Sequence, residues 1–333
     1  MTAEEFIRKY ADENKIDNIG ICNADNFEEI RSDLEKNAEI LKGFVERNIE
    51  KRINVRLTME NAKSIICIAQ GFNIKYDIER DDEIRSYISM GAIGEDYHIY
   101  IKKILEELAE EMKEKFGGEY LCFSDTGPLS DRSVAIRSGV GYRGKNGCII
   151  AKNGGAAVFI GYIITSLKLE TSKTNEESCG ECRRCILSCP SGAITENGFE
   201  TEKCISYLTQ VKRELSLEEM KTIGYNLYGC DVCQRVCRKT GYAEKICTDI
   251  DECMPKTEEI LNLSQREFKE RYGKTAMGWR GAAVIKRNAL CSLMKYRNKK
   301  AYEIAVTATK SESPIVKKTA EKVIDFLETA QEK

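Results

Sequence analysis

The tightest constraint on this chain is a run of cysteines. Cys179, Cys182, Cys185 and Cys189 are spaced C-x2-C-x2-C-x3-C, and Pro190 follows directly. Cys204 comes next, and then Cys230, Cys233 and Cys237, spaced C-x2-C-x3-C. Three close thiolates can grip three irons of one [4Fe-4S] cube, while a cysteine set before proline turns away toward a second cube. Two cubes need eight thiolates, and these are eight. A segment built around them is expected to be small and loop-rich, because metal bonds supply much of its folding energy.

By analogy with two-cluster ferredoxins, Cys179, Cys182 and Cys185 share one cube with Cys237, and Cys189, Cys204, Cys230 and Cys233 hold the other. Paired CxxC motifs also suit structural zinc, but that reading leaves Cys185, Cys189, Cys204 and Cys237 without a role. A disulfide framework belongs to small secreted chains. Unconnected buried cysteines rarely fall into this spacing together with the proline. Arg238 stands where such runs often carry a second proline, which removes a cap but no ligand.

At 333 residues the chain has room for two or three domains with sizeable cores. No window approaches about eighteen uncharged apolar residues, so no membrane-spanning helix is expected. The opening Met1-Thr2-Ala3-Glu4-Glu5-Phe6 is acidic and unlike a signal peptide. Rich in cysteine and without an export signal, the sequence reads as a cytoplasmic protein that keeps its thiols for metal. The net charge of −2 gives no overall pull toward nucleic acid, but it is unevenly placed. Residues 256–333 hold 17 Lys and Arg against 10 Asp and Glu, a net of +7, which leaves −9 for residues 1–255. A basic C-terminal module suits a polyanion and equally suits a solvated helical face.

Along the chain, residues 3–16 have helical spacing, Ile16–Cys22 reads as a strand and Phe27–Leu41 as a second helix. Ala62–Gly71 is the apolar run of a buried strand, and Asn73–Arg85 reads as an exposed loop. The longest helical pattern is Gly94–Phe116, followed by a strand at Tyr120–Phe123 and a short helix at Asp131–Ser138. After a glycine-rich loop at 139–147, Cys148–Ala151 and Ala156–Thr165 are expected to form a hairpin through Asn153-Gly154-Gly155. Strands and helices alternate up to this point, which predicts an α/β domain over residues 1–168. The cluster domain takes residues 169–252. Helices predicted at Ser264–Tyr272, Ala282–Tyr296, Lys300–Thr309 and Pro314–Ala330 make residues 253–333 a short helical module of paired helices. The class of the whole is α+β.

Fully ligated clusters move single electrons, so another group must face the substrate. There is no Walker motif and no catalytic triad. Gly139-Val140-Gly141-Tyr142-Arg143-Gly144 matches the dinucleotide pattern GxGxxG, but a predicted helix precedes it and a strand follows, the reverse of what that fingerprint needs. It reads instead as a loop whose backbone approaches a large cofactor closely. Asp125 follows a predicted strand end, where α/β domains place functional groups, although taken alone a turn or capping aspartate is the plainer reading. Asp131 reads as a first-turn helix residue or a partner of Arg132. His98, the only histidine, is either a site residue or a half-exposed helix residue.

Several motifs now combine. They are Ile49-Glu50-Lys51-Arg52, Gly94-x-Asp96-Tyr97-His98, and Asp125-Thr126-Gly127-x-Leu129-Ser130-Asp131-Arg132. Next come Arg137-Ser138-Gly139-x-Gly141-Tyr142-x-Gly144-Lys145-Asn146 and the Cys179 run with Gly192-Ala193. The last are Cys204-Ile205-Ser206-Tyr207-Leu208-Thr209, Tyr228-Gly229-Cys230-Asp231-x-Cys233, Gly278-Trp279-Arg280-Gly281 and Lys286-Arg287-Asn288-Ala289. Together, nearly end to end, they resemble the epoxyqueuosine reductase family.

The resemblance implies a nitroreductase-like N-terminal domain holding cobalamin, a ferredoxin-like domain relaying electrons through two [4Fe-4S] clusters, and a HEAT-like C-terminal module. Asp125 falls on the family's proton donor, needed because a departing epoxide oxygen must be protonated; desolvation beside a corrin would raise its pKa. Tyr97, His98, Arg132, Gly139, Gly141, Tyr142, Lys145 and Asn146 are the implied cobalamin contacts. The implied partners are a tRNA with a queuosine-type anticodon, held by the basic helices, and a low-potential donor such as flavodoxin or ferredoxin. A monomer away from membranes is expected. The chain departs from the family in its shorter helical tail, in Arg238, and in Asp131 where glutamate is more common. Two other functions are weighed against this one: a paralogous cobalamin and iron–sulfur reductase of a small-molecule epoxide or halide, and a plain electron carrier.

Overall fold

Thr2 starts the first helix, Ala3–Glu13. Its hydroxyl accepts from the Glu5 N–H while the Glu5 carboxylate accepts from the Thr2 N–H, a reciprocal cap. Phe6, Ile7, Tyr10 and Ala11 form the buried stripe of this helix. The computed structural model describes residues 1–79, 81–241 and 245–331. The chain divides into two compact units: Met1–Asn73, His98–Leu187 and Gln234–Tyr242 form one, and Ile74–Tyr97, Ser188–Cys233 and Ala243–Lys333 the other.

The first unit is built on a four-stranded antiparallel sheet in the order Asn18–Asn23, Ser64–Gly71, Val158–Thr165, Tyr120–Phe123. The apolar run Ser64–Ala69 is wholly buried, as expected for a strand with neighbours on both edges. The alternation of side chains divides the core into two layers. On one face, the helix Tyr97–Phe116 buries Ile101, Leu105, Leu108, Ala109 and Met112. Gly161 permits that approach, since a Cβ there would stand 2.5 Å from Ile101 Cγ2. On the other face, Phe27, Val55, Leu129, Val134 and Ala135 pack with Cys67, Tyr162 and Ile164.

Three expectations change in the structure. The hairpin joins Gly141–Arg143 to Ile149–Ala151, not Ile149–Ala151 to Val158–Thr165. Both edges of Val158–Thr165 are already taken by Ser64–Gly71 and Tyr120–Phe123, so the short strand pairs with its N-terminal neighbour instead. The helix expected at Phe27–Leu41 is confined to Glu28–Ile30 and Arg31–Asn37 and buries no residue, for its sequence offers no apolar stripe. The loop expected at Asn73–Arg85 includes a strand, Ile74–Tyr76, paired in parallel with Lys245–Cys247. Three residues are too few to show a period.

The second unit is organised around Ala282–Tyr296. Its buried residues run from Ala282 to Met294 and surround the helix, which makes it a central element and not a surface one. Thr257–Asn262, Leu217–Ile223, Lys299–Ala308 and Pro314–Gln331 pack against it. Pro314–Gln331 contributes Val316, Ala320, Val323 and Leu327, one face at helical spacing. All four C-terminal helices read from the sequence are present. A short parallel pair, Tyr87–Ile88 with Asn226–Tyr228, lies in the same unit. Among the described residues no helix is long and apolar enough to cross a membrane.

Candidate active site

The strand Tyr120–Phe123 ends at a tight turn in which Asp125 takes φ +56°, a left-handed conformation that aspartate tolerates better than most residues. The Thr126 N–H closes the turn on the Ser124 carbonyl at 2.6 Å, and the Ser124 hydroxyl is tied to the Ile160 carbonyl of the neighbouring strand. The turn thus lifts the Asp125 carboxylate off the sheet edge, where its side chain is 61% exposed. Its Oδ2 lies 3.1 Å from His98 Nε2, at the start of the helix Tyr97–Phe116. The histidine and the aspartate, 27 residues apart in sequence, are one hydrogen-bonded pair.

Behind the turn sits a second carboxyl. Asp131 Oδ2 accepts the Asp125 N–H at 2.8 Å, while Asp131 Oδ1 is buried without a partner. Burial, reinforced by the charge of Asp125, pushes the Asp131 pKa up to about 7, against the pull of the Asp125 N–H and of Arg132 and Arg52. Burial also lowers the pKa of Arg52, with the charge of Asp131 acting the other way. The expectation for Asp131 as a first-turn helix residue near Arg132 is met, but its part in fixing Asp125 is not legible in the sequence. Gly127 completes the turn: a Cβ there would fall 2.1 Å from the Tyr162 hydroxyl, which accepts the Leu129 N–H.

The glycine loop has a packing cause within the protein itself. Gly139, at φ +76°, would place a Cβ 2.0 Å from the Lys173 carbonyl oxygen, and Gly141 one 2.6 Å from that of Ile150. Both glycines serve the protein's own packing. Tyr142 is buried with Ile150 and Ala156, and Cys148, Cys179 and Cys237 pack against that cluster. Asn146 is buried and its Oδ1 accepts the Cys148 N–H, closing the hairpin turn that also carries Lys145. Arg132 is exposed on the helix Asp131–Arg137.

The eight cysteines divide four and four. Cys179, Cys182, Cys185 and Cys237 belong to the first unit, and Cys189, Cys204, Cys230 and Cys233 to the second. In the first, Gln234 Nε2 bonds the Ala156 carbonyl and Thr240 Oγ1 accepts the Ala156 N–H, which straps the Cys237 segment to the wall formed by Tyr142. In the second, burial pushes the Cys230 thiol up to about 12, and the nearby Cys204 and Cys189 add to the shift. At Cys189 burial acts in the same direction, but the Ser191 hydroxyl and the N–H groups of Ile194, Ser191 and Ala193 outweigh it and lower the pKa. Among the described residues no three His, Cys, Asp or Glu side chains converge to hold a single metal ion. A cube differs in kind, because its irons each take a separate thiolate. Four cysteines in each unit match in number the thiolates that one such cube requires.

One open cavity, lined by Glu83, Lys256, Glu258, Glu259 and Lys300 among others, lies in the helical unit. Glu83 is ion-paired there with both Lys256 and Lys300, and the hydrogen bond from Lys300 holds its carboxyl below the usual range.

Comparison with known proteins places the chain among relatives of one kind. A family model described as a 4Fe-4S double cluster binding domain matches residues 178–240, and one described as epoxyqueuosine reductase QueG, DUF1730, matches residues 52–126. The epoxyqueuosine reductase of Lactococcus garvieae is 35% identical over 302 residues, 87% of this chain and 86% of the relative. The structure of epoxyqueuosine reductase from Streptococcus thermophilus superposes with a TM-score of 0.92 at 33% identity, over 99% of this chain and 91% of that one. A crystal structure of epoxyqueuosine reductase with an epoxyqueuosine-modified tRNA-Tyr stem loop gives 0.90 at 32% identity, over 98% and 91%. The chain belongs to the epoxyqueuosine reductase family.

Proposed function

We propose that the protein reduces epoxyqueuosine to queuosine in tRNA, with Asp125 as the acid. Opening the epoxide and losing its oxygen as water consumes two electrons and two protons. Asp125 delivers a proton to the departing oxygen, and His98, bonded to its Oδ2, orients the carboxyl and returns the proton between turnovers. The observation that carries this reading is an exposed carboxylate held at positive φ, paired with the sole histidine, in the same unit as a four-cysteine group.

The eight cysteines hold two [4Fe-4S] clusters, one per group of four, and each passes electrons singly. The cofactor at Asp125 is a cobalamin. When bound and reduced, it supplies the electron pair that opens the epoxide. The residues fit such a group: the acid is presented outward on a rigid turn, and the buried Asp131 carboxyl keeps that turn from relaxing. Tyr97, His98, Arg132, Gly139, Gly141, Tyr142, Lys145 and Asn146 are the residues that would hold the corrinoid. Function follows the chain in three parts: chemistry over residues 1–168, electron relay over 169–252 and tRNA binding over 253–333. Lys299 and Arg266, 89% and 87% exposed and ion-paired with Glu303 and Glu270, are two of the groups that reach phosphates from the basic helices. The protein acts as a monomer and draws electrons from a low-potential donor such as flavodoxin or ferredoxin.

The test is anaerobic incubation of the reconstituted protein, with cobalamin and a strong reductant, with epoxyqueuosine-containing tRNA. Digestion and mass spectrometry should show a nucleoside lighter by one oxygen atom. Absence of that product from protein with full iron and bound corrinoid overturns the assignment.

A further inference from the structure

Three segments far apart in the chain meet at one buried cation. Arg287 and Asn288, in the middle of Ala282–Tyr296, have no exposed surface. The guanidinium places all five of its N–H bonds on neutral acceptors. Nη1 donates to the carbonyls of Val211 (2.6 Å) and Arg213 (2.8 Å), and Nη2 to the Leu208 carbonyl (2.9 Å) and Asn288 Oδ1 (2.7 Å). Nε donates to the same Oδ1 at 3.0 Å. The Asn288 amide in turn donates to the carbonyls of Thr209 (2.7 Å) and Leu227 (2.8 Å). No carboxylate among the described residues bonds this arginine. Burial lowers its pKa to about 10, which leaves it charged at neutral pH.

A buried cation without a counterion is costly, and a neutral amide could have tied some of these carbonyls. What the pair grips gives the charge a purpose. Leu208 ends the short helix Ile205–Leu208, whose first turn hangs from Cys204 through the Leu208 N–H and the Cys204 carbonyl, 2.9 Å apart. Leu227 lies three residues before Cys230, and Gly229 between them bonds Thr209 Oγ1 at 3.0 Å. The segments that carry Cys204 and Cys230 are therefore fastened to the same two side chains of a third element. Potentials of iron–sulfur clusters respond to the net charge and hydrogen bonding around them.

We propose that Arg287 and Asn288 are positioning residues for the cluster of Cys189, Cys204, Cys230 and Cys233, and that the Arg287 charge stabilises its reduced form. This rests on the ligand set proposed above. A fixed cation favours the state with one more electron, so removing it makes that cluster harder to reduce, while the cluster of Cys179, Cys182, Cys185 and Cys237 keeps its potential.

The test is an anaerobic redox titration of the full chain, followed by electron paramagnetic resonance, with iron counted in every sample. Arg287→Gln removes the charge, Arg287→Lys keeps it, and Asn288→Asp sets a compensating charge beside it, still accepting the guanidinium bonds but losing the two donated to Thr209 and Leu227. In Arg287→Gln and Asn288→Asp one of the two midpoints should fall by at least about 59 mV, a tenfold change in the reduced-to-oxidised ratio of a one-electron couple. Arg287→Lys should stay near wild type. If Arg287→Gln does not fold, Asn288→Asp decides. Unmoved midpoints with full iron, or equal shifts at both clusters, overturn the proposal. Wild-type protein that binds only one cluster refutes the ligand set instead.

Discussion

Asp125 and Asp131 are six residues apart, yet their surroundings separate their roles. The exposed Asp125 carboxylate meets His98, whereas Asp131 sits behind it with one oxygen buried and unbonded. Asp125→Gly should keep the turn, because glycine accepts φ +56°. It should also lower turnover by roughly 10²–10⁴-fold, the ordinary contribution of a general acid; unchanged single-turnover rates would exclude the role. Asp131 makes a different prediction. Its pKa is raised in the folded state, from 3.8 to about 7, so the folded protein holds this proton more tightly than the unfolded chain. The resulting stability is full below about pH 4 and drains away as the pH climbs to about 7. Denaturation across that window should show stability falling with pH, with a shallower fall in Asp131→Asn. The sequence points to Asp125 and His98 singly but cannot pair them, because a meeting of a helix start and a strand end is set by tertiary packing. Asp131 is visible there only as a helix-start residue, since burial of one oxygen leaves no mark on the local pattern.

At the level of elements, regular patterns are legible in the sequence and short pairings are not. The apolar run of Ser64–Gly71 and the stripe of Tyr97–Phe116 announce themselves over many residues. The strands Gly141–Arg143 and Ile74–Tyr76 do not, and the glycine loop, which the pattern alone assigns to a cofactor, is explained by Lys173 and Ile150. At Gly161 a Cβ would meet Ile101 Cγ2 at 2.5 Å and Leu105 Cδ1 at 2.8 Å. Gly161→Ala should cost about 1–3 kcal/mol of stability through overpacking against Ile101 and Leu105, measurable by chemical denaturation. The cysteine motif is the most legible feature, because a metal cluster dictates spacing along the chain itself. Cys182→Ala should halve bound iron by emptying the cluster of the first unit while sparing the other. Equal loss from both clusters would contradict the four-and-four division.

For the molecule as a whole, the division of charge matters more than its total. The C-terminal residues 256–333 carry +7 on a chain whose net charge is −2. Affinity for an anticodon stem loop should therefore fall steeply with salt. The double variant Lys299→Glu, Arg266→Glu should lower the slope of log affinity against log salt by about 0.9 for each phosphate that is no longer neutralised. A slope equal to that of the wild type would move the RNA surface elsewhere. The most direct test of the central claim is single-turnover conversion of an epoxyqueuosine-containing stem loop by wild-type and Asp125→Asn proteins matched for iron and corrinoid. The wild type should form queuosine while Asp125→Asn, its clusters still reducible, should form almost none. Equal yields from the two proteins would contradict the assignment of Asp125 as the acid.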